Sequence, residues 1–120
     1  MVNSYKDLTV WQKSYDVVIK VYGLTRSFPK EEAYGLTSQI RRAAVAIPSN
    51  IAEGHTRGHR GEFIQFLNIA FASGAELETQ LLLAKDLQYL PEPNYFQVNV
   101  LLTEVMKMLN GLITKLKTSP

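Results

Sequence analysis

The sequence predicts an all-α fold, an antiparallel up-down-up-down four-helix bundle, from three observations. Apolar residues recur at alternating spacings of three and four along four stretches, nothing alternates with a period of two, and proline and glycine punctuate the places where the stripes stop. Short connections return each helix alongside its predecessor, which sets the antiparallel order. The chain of 120 residues forms one domain, 1–120, long enough to bury about two-thirds of the surface its unfolded form exposes.

The first helix is expected over roughly residues 8 to 25, where Leu8, Trp11, Tyr15, Val18 and Tyr22 share a face and Asp7 or Thr9 is placed to cap the start. Pro29 and Gly35 then mark a connection. The second stripe is Leu36, Ile40, Ala44, Ile47 and Ile51, ending at the glycine-rich EGHTRGHRG. Pro48 falls inside it, lacks the N–H that would reach the Ala44 carbonyl, and predicts a kink or break there. The third stripe, Phe63, Leu67, Ala70, Gly74, Leu77, Leu81 and Ala84, has small residues midway that admit a neighbouring helix closely. The fourth runs from Tyr95 through Val98, Leu102, Val105, Leu109 and Leu112 to Leu116, after a break at Pro91 and Pro93. Val10, Val17 and Val21 beside the first seam, with Leu101 and Met108 beside the fourth, widen the apolar faces beyond a monomer's needs and point to self-association.

Composition narrows the function classes. With no cysteine, disulfides, thiolate nucleophiles and the usual structural zinc sites are excluded. The N-terminal stretch has scattered charges and no long apolar run, so a signal peptide or membrane anchor is not expected and a cytoplasmic location is. A formal charge of +2 announces no nucleic-acid binder by itself. Distribution says more: residues 41–60 hold Arg41, Arg42, Arg57, Arg60, His55 and His59 against one acid, Glu53. Clustered arginines suit phosphate, and a solvated helix end has the same composition.

Arg41, Arg42, Asn50, Glu53 and Glu76 also form a candidate structural polar network. Level positions across antiparallel second and third helices put Arg41 or Arg42 opposite Glu76, predicting an interhelical ion pair. Glu76 and Glu78, two apart on a helix, point about 200° apart and cannot share an acid–base site. His55 and His59 flank glycines and lack a convincing third metal ligand, and no phosphate-cradling loop or nucleophile elbow occurs. No enzyme activity, cofactor or metal is expected.

The stretches DLTVWQKSYD, FPKEEAYGLTSQIRRAAVAIPSNIAEG and EFIQFLNIAFASGAELETQLLLAKDLQYL together resemble the four-helix-bundle family of 23S rRNA intervening-sequence proteins, nearly end to end. The family motif falls on Arg41, Arg42, Pro48, Asn50, Glu53, Gly54, Arg57, Glu76 and Glu78, none with an assigned chemical role. The resemblance implies a bacterial homopentamer without catalytic activity or cofactor, and related bundles serve as accessory factors of retroelement reverse transcriptases. Ala72 and Gln88 depart from its usual glycines, and with Gln88 the third helix lacks its expected left-handed stop. The expected function is therefore a self-associating bundle that binds RNA or a nucleoprotein partner through Arg57, Arg60, Arg41 and Arg42. The alternative is a protein-interaction scaffold.

Overall fold

A computed structural model describes residues 4–119, and the regular structure among them is entirely helical. The four long helices are α1 (Thr9–Thr25), α2 (Leu36–Thr56), α3 (Arg60–Asp86) and α4 (Glu92–Thr118), with single 3₁₀ turns at Tyr5–Asp7 and Lys30–Glu32. α1 and α3 each pack on both α2 and α4, so the helices stand in ring order around one core. Residues that meet across α3 and α4 step in opposite directions, Arg60 with Ser119, Gly74 with Met106 and Lys85 with Tyr95, as antiparallel neighbours must. The body measures 49 × 23 × 20 Å, its long axis set by α3 and α4, whose length at about 1.5 Å per residue is roughly 40 Å.

Three of the four stripes face inward as read. Ile40, Ala44, Ile47 and Ile51 are fully buried on α2, Leu67, Ala70, Leu77 and Ala84 on α3, and Val98, Leu102, Val105 and Leu109 on α4. The small residues of α3 do what their size allows: a Cβ at Gly74 would collide with the Met106 sulfur, so α4 comes close there. Gly54 plays the same part between α2 and α3, where an added Cβ would stand 2.6 Å from Cβ of Phe66.

The first stripe is corrected. On α1 the buried residues are Val10, Ser14, Val17, Val21 and Thr25, while Trp11 and Val18 are half-buried and Tyr15 and Tyr22 are exposed at 49% and 38%. The valines placed beside the seam are the seam, and the aromatic stripe lies about a quarter-turn round toward α2. Polar residues enter the valine face without cost because they satisfy themselves locally, Ser14 Oγ donating to the Trp11 carbonyl at 2.9 Å and Thr25 Oγ1 to the Val21 carbonyl at 2.8 Å. Leu101 and Met108 pack partly buried against the core. Leu8, not Asp7 or Thr9, holds the cap position of α1, with no side-chain bond.

α2 passes through Pro48 without a break. Gln88 is a second correction: its φ is 66°, so the glutamine itself supplies the left-handed residue that ends α3, with Tyr89 N–H bonding back to the Ala84 carbonyl at 2.9 Å.

Candidate nucleic-acid interface

The basic residues read as one cluster divide between the two ends of α2. At its C-terminal end Arg57 reaches Glu62 at 3.2 Å and Glu53 at 3.5 Å, and its guanidinium lies 5.1 Å from the centre of the Phe66 ring. Arg60, opening α3, donates from Nη1 to the Ser119 carbonyl at 2.7 Å. His55 packs edge-on to Phe63, and His59 is exposed ahead of α3. No group of three or more His, Asp or Glu able to hold a metal gathers among the described residues. At this end Arg57 is answered by two acids, Glu53 and Glu62.

At the N-terminal end the surroundings differ. Arg41 Nε donates to Thr25 Oγ1 at 2.8 Å and its guanidinium stacks 4.5 Å from the Tyr22 ring centre, both partners on α1. Such a stack fixes the planar fork, and no hydrogen bond among the described residues uses its terminal nitrogens. Arg42 is exposed, and among the described residues neither arginine makes an ion pair. The two line an open groove of about 620 Å³ with Tyr22, Tyr34, Thr37 and Val45. The groove continues past Val45 into an apolar trough of about 310 Å³ under Tyr5, Trp11, Tyr15 and Pro48. Tyr5, Trp11 and Tyr15 form a run of ring contacts along it, with centroids 5.4 and 5.3 Å apart.

Glu32, just before the groove residues Ala33 and Tyr34 in sequence, has both carboxylate oxygens hydrogen-bonded. Glu32 accepts the Leu36 backbone N–H at 3.0 Å with one oxygen and the Tyr89 hydroxyl at 3.0 Å with the other. That hydrogen bond, then burial and the charges of Glu32 and Glu31, raise the Tyr89 phenol above its ordinary value.

The predicted ion pair to Glu76 does not form. Glu76 is exposed and accepts only a long 3.4 Å contact from Gln80 Nε2, while Arg41 turns to α1. Arg41 follows Ile40, which points into the core, and the next helical position lies about 100° round, on the α1 side. Asn50 bonds the Ala46 carbonyl of its own helix at 2.7 Å, so it does not serve the Ala44 carbonyl that Pro48 leaves unpaired. Glu53 belongs to Arg57. Arg41, Asn50, Glu53 and Glu76 therefore make separate local contacts, and the exposed Arg42 joins none of them, so the five do not form one network. The aromatic members of the groove, Tyr22 and Tyr34, were missed because Tyr22 read as core; its level position opposite Arg41 across the Pro29–Gly35 connection was the available signal.

Residues 6–111 match the family model described as 23S rRNA-intervening sequence protein. No curated protein matches. Among solved structures, the fold is similar to a crystal structure of a protein of unknown function from the S23 ribosomal protein family of Bacteroides thetaiotaomicron, at 28% identity and a TM-score of 0.81. The likeness covers 88% of this chain and 98% of that one.

Proposed function

The chain belongs to the 23S rRNA-intervening sequence protein family, and from that premise we propose that it is a non-enzymatic, self-associating cytoplasmic bundle that binds RNA through the Arg41 and Arg42 end of the α1/α2 groove. One observation carries the reading: two arginines without acidic partners stand beside exposed aromatic rings, whereas Arg57 is paired twice. Phosphate needs cations that are not already neutralised, and an arginine held by a ring presents its fork at little entropic cost. No helix among the described residues is long and apolar enough to cross a membrane. Exposed Ile19, Phe96 and Val100 on the outer faces of α1 and α4 support self-association, with a closed ring of five copies as the assembly. The apolar trough under Trp11 and Tyr15 favours the second reading, a scaffold for a protein partner such as a reverse transcriptase.

Light scattering with added structured RNA at low and moderate salt tests both. RNA should shift the particle in a salt-dependent way, and Arg42→Gln should weaken binding similarly across sequences and lower the salt slope by about one, the share of a single phosphate contact. Arg57→Gln should leave both nearly unchanged. A particle indifferent to RNA at low salt overturns the RNA reading and favours the scaffold.

A further inference from the structure

Resting on the RNA-binding reading, we propose that the groove between Tyr22 and Arg42 seats one unpaired nucleotide, its base stacked on Tyr34 and its phosphate on the two arginines, so that the protein prefers single-stranded to duplex RNA.

Charge complementarity selects the occupant. The groove lining holds two arginines and no carboxylate. An anionic group is therefore favoured over a cationic or purely apolar one. Its size, about 620 Å³, falls within the range of small-molecule sites, roughly 300–1,000 Å³.

Two features refine the ligand. Arg41 is held by Thr25 and Tyr22 through Nε and its face, and no hydrogen bond among the described residues uses its terminal nitrogens, which match a phosphate's oxygens. Tyr34, just ahead of α2, is 100% exposed, an aromatic face with nothing stacked on it at the mouth of a cationic groove. Every base has a π-face, but only an unpaired one can lay it on a side chain.

Fluorescence anisotropy with a labelled single-stranded oligoribonucleotide and a blunt RNA duplex of equal length tests the proposal, on the full chain in its native assembly. Tyr34→Ala should weaken single-strand binding roughly 5- to 100-fold, the span of one lost stacking contact, with the duplex unaffected. Tyr34→Phe should restore it. Because Tyr34 contacts solvent only, thermal melts and particle size should match the wild type. If the wild type binds RNA and Tyr34→Ala binds both probes unchanged, the nucleotide seat is wrong and the RNA-binding reading stands. If the wild type binds neither probe at low salt, both fail. If Tyr34→Ala instead alters particle size, the groove is an interface between copies and the proposal is overturned.

Discussion

Arg41 and Arg57 stand near opposite ends of one helix, and their surroundings have opposite character. Arg57 lies among Glu53, Glu62 and the Phe66 ring, at the end where α3 begins and α4 finishes. Arg41 lies against Tyr22 and Thr25 and makes no ion pair among the described residues. A run of basic residues in a sequence is thus not yet a basic surface. What matters is which acids the fold brings within reach of each cation, and here it brings Glu53 and Glu62 to Arg57 and, among the described residues, pairs none with Arg41.

The two ends also differ in how tightly their helices meet, and the largest expected effect breaks that difference. At the Arg57 end α2 and α3 approach through Gly54, where a Cβ would lie 2.6 Å from Phe66 Cβ and 3.2 Å from the Phe63 ring. Those atoms sit close to the α3 backbone and cannot swing aside. Gly54→Val should cost about 2–3 kcal/mol in urea unfolding, the scale of overpacking a dense contact. Gly23→Val on α1, where nothing lies within 4 Å, carries no steric cost and serves as control. Equal losses at the two sites would mean the α2/α3 approach is not set by Gly54.

The turns supply a smaller contrast of opposite sign. α2 gives way to α3 through Gly58 at φ 76°, and α3 to α4 through Gln88 at φ 66°. Left-handed backbone costs a residue with a Cβ about 1–2 kcal/mol, part of which glycine surrenders through its freer unfolded chain. Gln88→Gly should therefore raise stability by about 0.5–1 kcal/mol, while Gly58→Ala should lower it by a similar amount. Both read out as a change of midpoint with the slope unchanged.

Most of the fold was legible in the residues. On α2, α3 and α4 the stripe of strict three-and-four spacing is also the buried one. α1 carries two stripes about a quarter-turn apart, valines and aromatics, and periodicity cannot say which one turns inward. Ser14 and Thr25 interrupt the valine stripe and disguise it, although each bonds a carbonyl of its own helix and enters the core satisfied. The site was legible only as composition. Arg41 and Arg42 were visible as cations, but the acid that neutralises Arg57 from the next helix, Glu62, lies just beyond the basic stretch, and the ring that holds Arg41 was assigned to the core.

The smallest expected effect concerns the tie that keeps the Arg41 end free of its nearest acid. Tyr89, in the turn between α3 and α4, donates its hydroxyl to Glu32 at 3.0 Å and packs its ring 5.8 Å from Phe28. The bond to Glu32, with burial and the charges of Glu32 and Glu31, raises the phenol above its ordinary value of 10.0. Folding thus favours the protonated form, so this contribution to stability is complete below about pH 10 and is lost as pH rises through the higher folded value. Subtracting the unfolding free energies of Tyr89→Phe from those of the wild type cancels the other titrating groups. The difference should be constant from pH 7 to about 9 and decline above pH 10. A difference flat through that range would mean that Glu32 does not hold the phenol in solution. Its carboxylate would then be at liberty near the Arg41 groove, and the contrast between the two ends would shrink accordingly.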